Sequence, residues 1–224
     1  MAVSRTVLRE QVKDVLLERI LRGELKPGDA LVETRIASEL GTSQAPVREA
    51  LRDLELLRLV ESEPFRSARV REVTEEGLLS VFPVRAVLEE LAAREAARRL
   101  AGDAATIRVE LDAMRKAASR GDRTEQLDRD LAFHRAVVEG AGNPALTAAW
   151  LALGVEVPTA FAVFWTYWEP MELVDFHLPI LQAVEAGDSA AAGREARQHV
   201  KRTEQVVRRR ARERARSGEP ELAT

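Results

Sequence analysis

Residues 34–59 read "TRIASELGTSQAPVREALRDLELLRL". A short helix is predicted over Thr34–Leu40, stopping at Gly41, with a longer helix starting just beyond. Ser43 can cap the second helix. Pro46 falls in its first turn, where a backbone N–H has no helical partner to lose. Ala50, Leu51, Leu54, Leu57 and Leu59 supply its buried face. Two helices joined by so tight a turn form the unit that lays its second helix in the major groove of DNA.

The flanks extend that unit. Upstream, "VLREQVKDVLLERILR" at 7–22 places Val7, Leu8, Val12, Val15, Leu16, Arg19 and Ile20 close to a 3.6-residue period. Gly23 ends this helix and Pro27-Gly28 makes a turn. Downstream, "LVESEPFRSARVREV" at 59–73 alternates around a Pro-Phe-Arg-Ser centre and reads as a small β-hairpin. Helix, helix, tight turn, helix and hairpin is the order of a winged helix-turn-helix, assigned here to residues 1–72.

Residues 73–224 read as helix almost throughout. Thr74 with Glu75 and Glu76 opens the first helix, and Pro83 is expected to kink or split it. Gly102-Asp103, Gly121-Asp122, "GAGNP" at 140–144, Glu169-Pro170 and "AGD" at 186–188 punctuate the rest. The result is a mainly α chain, with an N-terminal winged helix-turn-helix followed by an antiparallel bundle of six or seven helices. The last ten or so residues, with Gly218 and Pro220, are expected to fray.

The chain has 224 residues, 46% hydrophobic and 32% charged, a balance that suits a globular protein. It lacks Cys, which removes disulfides and thiolate metal sites and suits a reducing cytoplasm. No run of about 18 apolar residues is present to span a membrane. The net charge of −3 and the even balance over residues 1–70, 12 Lys or Arg against 12 Asp or Glu, do not advertise nucleic-acid binding. DNA contact must therefore come from local placement of cations.

Such placement exists. Thr42, Ser43 and Gln44 are small or polar residues at the start of the second helix, and Gln can bond adenine at two points. Arg48 stands one turn in, Arg35 on the preceding helix, and Arg66 at the hairpin tip. The competing reading is a surface helix whose Arg48 pairs with neighbouring glutamates.

The chain has three His, and one lies in "DLAFH" at 130–134. Asp130 and His134, at i and i+4, project from one helix face and can hold one ion. His177 lies ten residues before Gly187 and His199 twelve after it, so a helix pair turning there brings both to one level. Three imidazoles and a carboxylate suit Zn²⁺ first, with Ni²⁺, Mn²⁺ or Fe²⁺ as alternatives. For each His alone, a hydrogen-bonded helix residue is the bland reading.

Two resemblances follow from these motifs. "ILRGELKPGDALVETRIASELGTSQAPVREALRDLE" at 20–55 resembles the winged-helix domain of the GntR superfamily of bacterial transcription regulators. The resemblance implies DNA contacts at Arg35, Ser43, Gln44, Arg48, Arg66 and Ser67. The family usually has Arg where Gln44 stands, and often Gly where Arg58 and Ser67 stand. "DRDLAFHRAVVEGAGNPAL" and "FHLPILQAVEAGDSAAAGREARQHV" are similar to the FadR-type C-terminal effector domain, called FCD. Its metal-binding members supply an Asp, a His one turn on and two later His, matched here by Asp130, His134, His177 and His199. Such domains place a small effector, commonly an organic acid, at the metal. Arg85 and Asn143 are candidate donors to it, against readings as an Arg85–Glu89 surface pair and a simple turn residue.

These readings imply a repressor, not an enzyme. A homodimer would bind an inverted-repeat DNA operator, and a small organic acid would release it. The alternative is a metal-dependent hydrolase using the three-His/Asp site, against which stands the lack of H-E-x-x-H, G-x-S-x-G or a phosphate loop. A DNA-packaging protein is a third class. The stripe Phe161, Trp165 and Trp168 reads as core or dimer interface, or else as pocket wall. The end at 194–216, ten Lys or Arg against three Glu, reads as a solvated helix or a second nucleic-acid contact.

Overall fold

The computed structural model describes residues 5–21, 24–62, 66–71, 75–165 and 168–217. Gly23, the Pro64-Phe65 centre of the hairpin, Thr74, the boundary at residue 72 and the chain end from 218 lie outside them. The chain divides into two compact units, Met1–Gly77 with Glu213–Thr224, and Leu78–Arg212.

The first unit contains α1 (Arg5–Leu21), β1 (Ala30–Leu31), α2 (Glu33–Glu39), α3 (Gln44–Leu56), β2 (Val60–Glu61) and β3 (Ala68–Val70). Val12, Leu16 and Leu17 of α1 and Val47, Ala50, Leu51 and Leu54 of α3 are buried, and these two helices pack together. The expected hairpin is present as β2–β3, with Val60 opposite Val70. Strand β1 was not foreseen. It pairs antiparallel with β3, Ala30 opposite Arg69, so the order is β1-β3-β2. Two residues are too short for an alternation to show in sequence, and the strand exists because β3 offers it an edge.

The end of α3 carries a Schellman arrangement. Leu59 N–H donates to Leu54 O and Arg58 N–H to Glu55 O. Arg58 therefore sits at φ 56°, in the left-handed region that Gly occupies at low cost.

The second unit holds α4 (Glu75–Arg99, from Leu78), α5 (Ala105–Ser119), α6 (Arg123–Gly140), α7 (Pro144–Leu153), α8 (Glu156–Trp165), α9 (Pro170–Asp175), α10 (Leu178–Glu185) and α11 (Ser189–Ser217, to Arg212). Among the described residues that is eight helical segments, where six or seven were expected. The extra break falls at Phe176-His177, between α9 and α10, with Pro179 in the first turn of α10. Pro83 does not split α4, which runs through it as one helix. Buried Phe82, Arg85 and Ala86 seat the helix on either side of the exposed proline. Helix α5 packs on α6, α9 and α10, and α6 also packs on α7 and α8. The interior includes Ala92, Ala93, Ala96 and Ala97 of α4 with Phe133 and Val137 of α6. At the α10–α11 turn Gly187 has φ +70°, and a Cβ there would meet Ala101 Cβ at 3.0 Å.

Helix α8 ends at Trp165, so Trp168 stands beyond it rather than on a common stripe. Trp168 packs edge-on against Phe176, with ring centroids 4.9 Å apart. The side chains of Phe161 and Trp165 lie outside the description. No single helix among the described residues is long and apolar enough to cross a membrane.

Candidate metal centre and nucleic-acid interface

Helix α6 starts at Asp122, whose Oδ1 accepts from Glu125 N–H. It turns Leu127, Asp130, His134 and Val137 inward. His177 stands at the break before α10, and His199 lies within α11. One ring nitrogen from each of His134, His177 and His199 lies within 4.8 Å of the others, and all three residues are buried. The levels inferred from Gly187 are therefore right, and the two rings also face each other, with centroids 4.3 Å apart.

The hydrogen bonds assign the tautomers. His134 Nδ1 is 2.8 Å from Glu89 Oε2, and His177 Nδ1 is 2.7 Å from Leu173 O. A carboxylate and a carbonyl accept only, so both Nδ1 atoms carry the proton. Nε2 is then the nitrogen through which each ring would bind an ion. These two nitrogens are 3.2 Å apart. Asp130 adds Oδ1 at 3.5 Å from His134 Nε2 and Oδ2 at 3.4 Å from His177 Nε2. A metal ion among these atoms, or a proton on one of the Nε2 nitrogens, removes the repulsion between them. Donors about 2.1 Å from a common tetrahedral ion lie roughly 3.4 Å from one another. The donor set and its spacing fit a divalent transition ion, and His199 Nδ1, buried without a hydrogen-bond partner among the described residues, adds to the fit.

Burial pushes His177 down to about 4, with Asp130 opposing and His134 adding to the drop. Burial likewise carries His199 well below its ordinary value, helped by His177 and His134. Both are therefore neutral near pH 7, the form a metal needs.

Behind His134 is a group that sequence reasoning missed. Glu89 Oε1 accepts from Arg85 Nε at 2.6 Å and from Trp150 Nε1 at 2.9 Å. Arg85 Nη1 donates to Thr159 Oγ1 at 2.9 Å. Burial opposes ionisation of Glu89, but Arg85 and His134 hold its carboxyl well below the usual range. Arg85 and Glu89 are thus paired, but in the interior, at 2% and 3% side-chain exposure rather than at the surface. Their i,i+4 spacing was the legible signal; the depth was not. Arg85 Nη2 is buried with no partner among the described residues. Asn143 is different: it is exposed, and its Oδ1 accepts from Ala145 and Leu146 N–H as the cap of α7. The cap occupies its acceptor, and the structure does not gather it with the imidazoles.

In the first unit Gln44, Arg48, Arg66 and Ser67 line one open cleft, together with Arg52 and Glu33. Ser43 holds the N-cap position of α3, but its hydroxyl makes no capping bond. Arg35 is exposed on α2, and half-buried Thr42 lines a second cleft beside α1. Arg48 pairs with Glu33 across the helix-turn-helix. Its Nε is 2.9 Å from Oε1 and its Nη2 2.7 Å from Oε2. The expected pairing with a glutamate is real, and its partner comes from α2. Arg52 could have been found from its position one turn beyond Arg48.

A winged helix, followed along the chain by an all-helical unit with a buried imidazole group, is the architecture of a DNA-binding transcription regulator. Residues 8–70 match the bacterial regulatory proteins of the gntR family, and residues 80–202 match the FCD domain. The chain is 39% identical over 198 residues to a Paenarthrobacter nicotinovorans protein named "Probable D-xylose utilization operon transcriptional repressor", covering 88% of each chain. Against the solved structure of Escherichia coli McbR/YncC the TM-score is 0.59 at 26% identity, covering 93% of this chain and 99% of that one. A GntR-type regulator structure from Rhodococcus sp. RHA1 also gives 0.59, at 24% identity, over 89% and 96% of the two chains. This chain belongs to the gntR family, in the branch that carries an FCD domain. It is a DNA-binding transcriptional repressor, and its relatives are regulators, not enzymes.

Proposed function

We propose that this repressor is a homodimer that binds an inverted-repeat operator in the cytoplasm and leaves it when a small organic acid binds in the FCD domain. Asp130, His134, His177 and His199 would hold a divalent transition ion, Zn²⁺ first, with Ni²⁺, Mn²⁺ or Fe²⁺ as alternatives. A bound ion supplies a Lewis-acid position for one carboxylate oxygen. Arg85 would take the anion through Nη2, the buried donor that no described residue satisfies. Asn143 caps α7 through Oδ1, so only its Nδ2 would donate to the acid, and because the residue is exposed the reading rests first on Arg85. The observation that carries the reading is the pair of Nε2 atoms 3.2 Å apart, each with its Nδ1 committed elsewhere and Asp130 beside both.

In the DNA-binding unit, Gln44, Arg48, Arg66 and Ser67 share a cleft, and Arg35, Thr42 and Ser43 would contact the duplex beside it. The dimer is supported by an exposed apolar stripe on α4, Val84, Val87 and Leu91, at 49%, 56% and 43% exposure. Two-fold symmetry would match an inverted repeat. Coupling requires that the effector bind the DNA-free form more tightly.

The test uses the full chain. Elemental analysis should find one transition ion per chain. Organic acids should then raise the melting temperature and weaken operator binding, and a chelator should abolish both effects. Metal-free protein that still responds to acids would sink the reading. A second reading, a sugar effector, is favoured by the D-xylose name of the 39% identical relative. It predicts a response to neutral pentoses that survives loss of the Arg85 charge.

A further inference from the structure

Arginine has two hydrogen-bonding edges. Glu33 occupies the side edge of Arg48, Nε and Nη2, with Nε also 3.1 Å from Oε2. The terminal edge, Nη1 with the second N–H of Nη2, has no partner among the described residues. That terminal edge matches the O6/N7 pair of guanine in the major groove. Two-point contact also removes rotation about the long side chain, which otherwise must be frozen when DNA arrives. The carboxylate comes from α2, while Arg48 projects from α3. The pair therefore fixes the guanidinium relative to both helices of the helix-turn-helix. Arg48 is 53% exposed, so its free edge is open to a duplex.

We propose that Glu33 is a positioning residue that holds Arg48 end-on for one guanine in each operator half-site, and so sets base preference without touching DNA. The inference rests on the reading of Arg48 as a base-contacting residue. An opposing role has the opposite signature. If Glu33 merely competed with DNA for Arg48, removing its charge would tighten operator binding and leave base preference intact.

The experiment selects preferred sites from randomised duplexes with the full-length wild type, Glu33→Gln, Glu33→Asp and Arg48→Ala. Salt dependence is then measured on the wild-type site. Wild type should show a strong guanine at one position per half-site. Arg48→Ala and Glu33→Gln should both flatten that position while the others keep their preference, with about a tenfold loss on the wild-type site. Glu33→Asp should recover part of it. A uniform loss across all positions would mean that Glu33 only supports the fold, and would overturn the proposal. So would tighter binding by Glu33→Gln with an unchanged profile. A profile changed by Arg48→Ala but not by Glu33→Gln removes the positioning role alone. A profile changed by neither removes Arg48 from the bases and the proposal with it.

Discussion

Two Arg–Glu pairs of nearly equal length sit in opposite surroundings. Arg48–Glu33 in the winged helix is 2.7 Å long at 53% and 30% side-chain exposure. Arg85–Glu89 in the helical unit is 2.6 Å long at 2% and 3%. In water, the attraction of a pair nearly matches the hydration it displaces, so the first can keep its partner and still share its open edge with DNA at small cost. In the interior neither charge can lose its partner cheaply. The first pair suits a surface that binds and releases. The second suits a frame, and it fixes the ring of His134 through Nδ1.

The contrast is most exposed to failure at Glu89. Glu89→Ala leaves Arg85 as a buried charge and His134 Nδ1 without its acceptor. It should cost about 3–5 kcal/mol of stability in chemical denaturation and lose the metal as well. A cost near zero would mean that the buried pair is no frame. Next in size, His134→Ala should abolish stoichiometric metal and effector response while operator binding stays within a few-fold. Collapse of operator affinity would show that the two units do not work separately.

Arg48→Ala tests the exposed pair. Unfolding should be almost unchanged, while operator affinity falls roughly ten- to hundredfold if the base contact is bidentate. The smallest effects are local. Asn143→Ala should cost about 1 kcal/mol through loss of the α7 cap, with effector response intact, and an altered response would place Asn143 in the pocket. Arg58→Gly should stabilise the winged helix by about 1 kcal/mol, by relieving a left-handed backbone. An unchanged unfolding midpoint would tell against strain there.

Much of the candidate metal centre was legible because its signals are short-range or symmetric about a turn. Asp130 and His134 lie one helical turn apart, and His177 and His199 are nearly equidistant from Gly187. Glu89 was not assigned to His134, since 45 positions separate them and nothing along the chain links them. The break at Phe176-His177 was missed for another reason. Pro179 was a legible helix-start signal there, but with Leu173, Val174, Leu178, Ile180 and Leu181 around it the stretch read as one helix, and the structure shows His177 at the start of α10. Asn143 had two readings, effector donor and turn residue, and the structure shows it at a turn, as the cap of α7. Asn before Pro is a cap signal, and capping is where its side chain is used.

The amino-acid order by itself determined the helix-turn-helix, the hairpin, the run of helices and the identity of the imidazole donors, because periodicity, turn residues and rare His are local properties of a chain. Tertiary structure decided which charges are buried, which edge of Arg48 is left open and which carboxylate stands behind His134. Those depend on how far each side chain is removed from water and on partners brought from distant segments, and neither quantity is written in the spacing of residues along the backbone.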